Sequence, residues 1–219
     1  MRNKLRIFFL VLLAMLANTR GVAQDWTQPT AIQDAVYAAY KQNNFAAIDK
    51  IGTQLRTEKS RAPSGDWSLF TFYNCLFGAM KDEIAIKSPE QWNKVESKLN
   101  RWVASEPQSA VAPIALAYAQ SWHAWAFRGE GTADTVTQKQ WIQFAQHMAL
   151  SRRTLEANKK ISSVDPQWYV EMLQVATAES WEKKDYLALY EEAMSKEPLY
   201  YRTHVIALNR FFPDVGWKR

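Results

Sequence analysis

Apolar residues recur three and four positions apart along most of the chain from about residue 29 onward, a spacing typical of one buried face of an α-helix. The segment from Pro29 to Lys41 shows it first, with Ile32, Val36 and Tyr40 on one face. Good helix formers dominate the composition, and only seven glycines occur in 219 residues. No segment of the sequence predicts a convincing β-strand. The pattern therefore predicts an all-α protein.

Capping residues and prolines place the ends of the helices. We expect new helices after Asp66, at Ser88-Pro89, at Gln108 or Ser109, after Thr137, and at Asp165-Pro166. Gly129 is expected to end a helix, and residues 128–137 form the longest candidate loop. Seven alanines lie between positions 110 and 126, and such small side chains let neighbouring helices approach closely.

About eight or nine helices joined by short turns predict antiparallel helical hairpins, stacked as a short right-handed solenoid of the tetratricopeptide type. An acidic residue followed by proline separates helices at Glu106-Pro107, Asp165-Pro166 and Glu197-Pro198. The interval between the last two pairs is close to the repeat length of about 34 residues in tetratricopeptide proteins. We expect residues 24–219 to form one helical-repeat domain, with 24–87 and 88–219 as a possible subdivision.

The first 23 residues have the organisation of a secretory signal peptide. Three positive charges precede an apolar run of eleven residues from Ile7 to Ala17, and Gly21 and Ala23 are the small residues of a cleavage site. A transmembrane anchor is the alternative, but spanning a bilayer takes about 20 apolar residues. The only cysteine, Cys75, lies far from the cleavage site, which argues against a lipoprotein. The sequence thus predicts a periplasmic or secreted protein with no stable membrane span after cleavage.

Most of the net charge of +5 belongs to the predicted signal peptide. Residues 1–23 carry four basic residues and no acid, which leaves 23 basic and 22 acidic residues in the remainder. Nucleic-acid binding needs clustered positive surface, so we expect no nucleic-acid partner. A single cysteine excludes an internal disulfide, and the fold must rest on helix packing.

Two resemblances agree with this fold. From Asp165 to Pro198 the chain resembles a degenerate tetratricopeptide repeat, with Tyr190 and Ala193 where that repeat has an aromatic and a small residue. From about Trp92 to Trp217 the chain is similar to a bacterial family whose function is unknown. The residues that carry this similarity are Trp102, Ala104-Ser105-Glu106-Pro107, Ala115-Leu116-Ala117, Ala124-Trp125, Arg128-Gly129, Asp165-Pro166, Trp168-Tyr169 and Glu197-Pro198. Both resemblances imply a helical, tetratricopeptide-like fold, and neither implies an activity.

The three histidines, His123, His147 and His204, are widely separated in the sequence and match no metal-binding spacing. We therefore expect no metal ion and no cofactor. His123 is a candidate general base or ligand contact, oriented by Arg128 one or two turns away on the same predicted helix. The alternative, which we favour, is a hydrogen-bonded histidine at the edge of an aromatic core.

The ten tryptophans are either core residues or the wall of a groove that stacks against a peptide or a sugar, and core is favoured for most of them. The candidate contacts to a partner are Tyr118, Trp122, Arg128 and Trp168, with His123 behind them. We expect an exported module that binds or scaffolds a protein or peptide in the bacterial envelope. The alternatives are an envelope enzyme with His123 or a carboxylate as acid–base, acting on cell-wall material or peptides, and a structural part of a larger assembly.

Overall fold

The computed structural model describes residues 25–84 and 89–211, and within these ranges the chain is helical. The helices are α1 (Pro29–Lys41), α2 (Phe45–Glu58), α3 (Ser68–Asp82), α4 (Pro89–Ser105), α5 (Val111–Arg128), α6 (Gln138–Ala157), α7 (Lys159–Ser162), α8 (Pro166–Ala178), α9 (Lys183–Lys196) and α10 (Tyr201–Phe211). A short 3₁₀ helix, Ala133–Thr135, lies between α5 and α6. The prediction of an all-α protein is confirmed. The described part holds one or two more helices than predicted, because the four-residue α7 follows α6 after a break at Asn158.

Local capping chemistry explains several of the helix starts. Thr137 forms a capping box with Gln140 at the start of α6, as the sequence predicts. The Asp165 side chain accepts a hydrogen bond from the Gln167 N–H at the start of α8, which confirms a second predicted cap, whereas Ser88 lies outside the described residues. The prediction for Asp66 is wrong, because α3 begins after Trp67 and the Asp66 carboxylate accepts a hydrogen bond from the Ser64 hydroxyl instead.

Helix α5 runs through the middle of the molecule. Its residues from Val111 to Ser121 are all buried, and it contacts α2, α3, α4, α6 and α8. The alanines make this possible, because they let neighbouring helices approach α5 from several sides. At Gly52 of α2 the approach is so close that an added Cβ would lie 2.8 Å from the Val111 side chain.

Contacts also join the first helices to the last ones. Arg56 of α2 forms an ion pair with Asp165 at the start of α8, and Lys59 pairs with Glu197 at the end of α9. The hydrophobic core is continuous across the point between residues 87 and 88 where the sequence allows a subdivision. In a simple linear array of repeats each unit contacts only its neighbours. The solenoid arrangement therefore stays a prediction.

The predicted signal peptide lies outside the described residues. Within 25–84 and 89–211, none of the helices is both long and apolar enough to span a membrane.

Candidate functional site

A tight turn between α2 and α3 positions Trp67. Lys59 ends α2 in a left-handed conformation, and Gly65 has a φ of +90°, a value that favours glycine. Within the turn the Ala62 N–H donates to the Asp66 carbonyl at 2.8 Å, and the Arg61 guanidinium donates to the Gly65 carbonyl at 2.7 Å. An isolated antiparallel bridge joins Arg61 to Trp67. The backbone at Trp67 is therefore held firmly although it lies outside a helix.

Trp67 forms one wall of a cavity of about 240 Å³, which we call the Trp67 pocket. The other lining residues come from the start of α3 and from the start of α10. The full set is Asp66, Trp67, Phe70, Tyr200, Tyr201, Arg202 and Val205. Four of the seven are aromatic, so the walls are largely apolar with a few polar groups among them, as is usual in ligand pockets.

The charged groups in and beside the Trp67 pocket are two guanidinium groups, Arg202 in the lining and Arg61 next to it, and one carboxylate. The Trp67 indole N–H is buried and has no hydrogen-bond partner, which is uncommon for a buried donor. The guanidinium of Arg202 lies 5.4 Å from the centre of the Phe70 ring, and that of Arg61 lies 5.6 Å from the centre of the Tyr201 ring. Asp66 is the one acidic residue of the lining. The balance favours a ligand with an apolar part and a negative charge.

A buried polar network fixes the inner wall of the Trp67 pocket. The Tyr200 hydroxyl donates to Gln167 at 2.7 Å, and the Gln167 amide donates to Glu171 at 2.8 Å. The Tyr200 ring also meets Trp67 edge-on, with ring centres 5.5 Å apart. Burial raises the pKa of Glu171 to about 7. Tyr200 is thus held by hydrogen bonding on one side and by ring packing on the other.

Asp165 is the centre of the same network. Its carboxylate is fully buried and accepts hydrogen bonds from Arg56 at 3.1 Å, from the Tyr73 hydroxyl at 3.0 Å and from the Gln167 N–H at 3.0 Å. Burial raises the pKa of Asp165, although the Arg56 charge and these hydrogen bonds oppose that effect. The network consists of satisfied hydrogen bonds inside the core, which indicates a positioning role and not a reacting group.

The Trp67 pocket opens onto an exposed apolar stripe that we call the α10 face. It consists of Tyr201, Val205 and Leu208, which recur at helical spacing and so share one side of the helix. The three side chains are 50%, 38% and 56% exposed. Tyr201 and Val205 also line the pocket, so the stripe and the cavity form one continuous surface. Contiguous exposed apolar surface often marks an interaction site.

Two of the sequence-predicted contact residues lie in the core. Trp168 is 1% exposed, and its indole N–H donates to the Leu155 carbonyl at 3.0 Å. Tyr118 is 7% exposed and stacks on Phe77, with ring centres 3.5 Å apart. Their positions agree with the alternative interpretation of the aromatic residues as core.

The other two predicted contacts, Trp122 and Arg128, are half-buried on α5. The Arg128 guanidinium lies 5.7 Å from the Trp125 ring centre and 5.5 Å from the Trp141 ring centre, and both of these tryptophans are exposed. Trp122, Trp125, Arg128 and Trp141 are called the Arg128 surface below. The cavity beside Trp122 and Trp125 holds only about 20 Å³, room for about one water molecule. This surface is therefore shallow.

His123 lies behind the Arg128 surface and is 1% exposed. Its Nδ1 lies 2.5 Å from Glu96 Oε1 of α4, whereas Arg128 donates to the carbonyls of Gly129 and Gly131. The prediction that Arg128 orients His123 is therefore wrong, because the α5 helix turns the guanidinium toward the following loop. Since a carboxylate can only accept, the imidazole N–H donates to Glu96.

A second histidine completes a cluster that the sequence does not predict. His147 of α6 lies with its ring centre 3.9 Å from that of His123, and its Nδ1 is 3.9 Å from Glu96 Oε1. One ligand atom from each of Glu96, His123 and His147 lies within 4.8 Å of the other two. Burial lowers the pKa of His147, and the neighbouring His123 adds to that effect while Glu96 opposes it. These three side chains, the His–Glu cluster, are the residues that can hold a metal ion.

Sequence reasoning missed both sites for the same reason. Glu96, His123 and His147 lie on three different helices, and Trp67 and Tyr200 are 133 residues apart in the sequence, so no local motif joins either set. The usable signals were indirect. The α10 face appears in the sequence as Tyr201, Val205 and Leu208 at helical spacing, but only packing decides that this face is exposed.

Comparison of the chain with family models, with curated proteins and with solved structures finds no match.

Proposed function

We propose that this chain is an exported helical module, periplasmic or secreted, that binds a protein or peptide partner in the bacterial envelope. The observation that carries the proposal is the Trp67 pocket, which is lined by aromatic residues and Arg202 and opens onto the exposed α10 face. The Arg128 surface supports such a role less well, because its cavity is about 20 Å³ and that of the Trp67 pocket is about 240 Å³.

The chemistry of the Trp67 pocket favours a peptide that ends in an apolar residue. Aromatic walls bury an apolar side chain, and the volume is below the range of about 300–1,000 Å³ that small-molecule sites occupy. The Arg202 guanidinium is a donor suited to a carboxylate. The residues ahead of the peptide's terminus then lie along Tyr201, Val205 and Leu208.

The test is calorimetric titration with the tetrapeptide Ala-Ala-Ala-Leu, prepared with a free carboxylate and as the C-terminal amide. We expect the carboxylate form to bind and the amide to bind at least about tenfold more weakly, since a charge-assisted hydrogen bond contributes about 1.5–3 kcal/mol. Arg202→Gln should weaken binding of the carboxylate form alone. The matched control is Arg153→Gln, because Arg153 is an exposed arginine of α6 outside the pocket lining.

A second pair of variants tests the α10 face. Val205→Ser should weaken peptide binding, because it removes an apolar contact at the mouth of the Trp67 pocket. Val164→Ser should leave binding unchanged, since Val164 is 58% exposed and does not line the pocket. Equal affinity for peptide acid and amide, or no binding of either, would contradict the proposed ligand class.

Export is tested separately, by the intact mass of the protein recovered from the periplasm or the medium of an expressing bacterium. We expect loss of residues 1–23. A protein that keeps these residues and stays in the cytoplasm would refute the envelope part of the proposal.

The Glu96–His123 contact favours a second candidate, an envelope enzyme that uses the pair as acid–base. A histidine joined to a carboxylate at 2.5 Å has the partner that general-base catalysis needs. The binding function is preferred, because His123 is 1% exposed and the cavity beside the neighbouring Trp122 holds only about 20 Å³. Hydrolysis of cell-wall fragments or peptides that is lost in His123→Gln and kept in His204→Gln would favour the enzyme.

A further inference from the structure

Three side chains that bind transition metals meet where α4, α5 and α6 pack together. Glu96, His123 and His147 each come from a different helix, and their ligand atoms lie within 4.8 Å of one another. Imidazole nitrogen and carboxylate oxygen are ligands that Zn²⁺ and its neighbours in the transition series accept. Within residues 25–84 and 89–211, this is the one group of at least three such side chains close enough to share an ion.

Hydrogen bonding within the cluster is incomplete. His123 Nε2 and His147 Nδ1 are both buried, and neither has a hydrogen-bond partner. Buried polar atoms are bonded in the great majority of cases, so two unpartnered ring nitrogens side by side need a physical explanation. A cation bound at His147 Nδ1 explains why that nitrogen has no hydrogen bond, because the metal accepts its lone pair.

The distances are compatible with a single ion after a small adjustment. A tetrahedral ion with bonds of about 2.0–2.2 Å holds its ligand atoms about 3.4 Å apart. The separation of 3.9 Å between His147 Nδ1 and Glu96 Oε1 is close to this value. Metal binding through His123 Nδ1 releases the proton that this nitrogen donates to Glu96, and the 2.5 Å contact widens by about 1 Å to reach the same spacing. Glu96 can supply that movement, since its side chain is 14% exposed and is not locked in the core.

The surroundings complete the site. The Phe127 ring stacks on His123 with ring centres 4.8 Å apart and lies 5.0 Å from His147, so one side of the cluster is apolar. The His147 side chain is 16% exposed and that of Glu96 is 14% exposed, so the cluster lies near the surface of the protein. Three protein ligands with an open fourth position are the arrangement of zinc sites that bind an exchangeable ligand.

We propose that Glu96, His123 and His147 form a binding site for one divalent transition-metal ion, with Zn²⁺ as the preferred occupant. The site lies on α4, α5 and α6, whereas the Trp67 pocket lies on α3 and α10, and the proposal does not depend on peptide binding.

Titration of the full chain, without a polyhistidine tag, with ZnCl₂ in a calorimeter tests the site. We expect one ion per chain. His147→Gln and Glu96→Gln should each weaken binding by at least about tenfold, because each removes one of three ligands. The matched control is His204→Gln, since His204 lies on α10 and contacts Tyr190 and the Pro198 carbonyl.

Titration with CoCl₂ provides a spectroscopic signal of metal coordination, which a purely structural effect of a substitution would not change. Bound Co²⁺ with nitrogen and oxygen ligands should give a visible ligand-field absorption in the wild type and in His204→Gln, and not in His147→Gln. Circular dichroism of each variant shows whether it folds. His147 is the first residue to replace, because its side chain is partly exposed and its replacement should disturb the core least. Absence of stoichiometric Zn²⁺ binding, or equal affinity in wild type and folded His147→Gln, overturns the proposal.

Discussion

Glu171 provides the sharpest test of the buried network beneath the Trp67 pocket. The residue lies on α8 and is 3% exposed, with its carboxylate oxygens bonded to the side-chain amides of Gln167 and Gln174. Neither partner is charged, so desolvation outweighs the hydrogen bonds and raises the pKa from 4.5 to about 7. The perturbation is Glu171→Gln, which keeps an acceptor for Gln167 and removes the ionisation.

The magnitude follows from linkage between protonation and folding. Between about pH 4.5 and 7 the folded protein binds a proton at Glu171 that the unfolded chain has released, so stability falls as the pH rises through this window. Each pKa unit corresponds to about 1.4 kcal/mol, so the rise of the pKa from 4.5 to about 7 lowers stability by about 3 kcal/mol above pH 7. Below pH 4.5 the group is neutral in both states and the effect disappears.

The assay is urea unfolding followed by circular dichroism at several pH values between about 4 and 8. The stability of Glu171→Gln relative to wild type should rise by about 3 kcal/mol across this range. Glu191→Gln is the control, because Glu191 is exposed on α9 and its replacement should leave the pH profile unchanged. A difference between Glu171→Gln and wild type that does not vary with pH would refute the reasoning.

Three further predictions concern the network, the turn and the Arg128 surface. Asp165→Asn should lower the free energy of unfolding by about 2–4 kcal/mol in urea, because it leaves the Arg56 guanidinium partly buried without its counter-charge; an effect below about 0.5 kcal/mol would contradict this. Gly65→Ala should cost about 1–2 kcal/mol in the same assay, since the φ of +90° strains any L side chain although the space is open. If the Arg128 surface contributes to binding, Trp122→Ala and Arg128→Ala should weaken capture of a crosslinked envelope partner while helicity and melting temperature stay unchanged. Loss of the fold in both variants would assign Trp122 and Arg128 a structural role.

The helices are largely predictable, because their boundaries depend on short-range chemistry. Pro29–Lys41 is found with the predicted bounds, and Thr137 and Asp165 cap α6 and α8 as expected. Each of these depends on contacts between near neighbours in the sequence. Asp66 does not cap α3, because the turn that contains Gly65 brings its carboxylate close to the Ser64 hydroxyl instead. The type of residue alone does not predict which of these two partners the carboxylate binds.

Neither candidate site was predictable, because each depends on how distant helices pack. The periodicity predicts that His123 and His147 each lie on a helix, and it cannot place Glu96 between them. The same limit applies to the tryptophans. Trp168 and Trp67 are both buried, yet the Trp168 indole bonds to the Leu155 carbonyl and the Trp67 indole has no partner. That difference in hydrogen bonding exists only in three dimensions.

The buried network also explains how a pocket can form between helices that are far apart in sequence. Apolar contacts tolerate small slips between helices, whereas hydrogen bonds in the core are satisfied in few arrangements. Asp165 accepts from Arg56 and Tyr73, which lie 109 and 92 residues away, and the Tyr200 hydroxyl donates to Gln167. These bonds fix α2 and α3 against α8 and the start of α10. Since the walls of the Trp67 pocket come from the start of α3 and the start of α10, the same bonds define its shape.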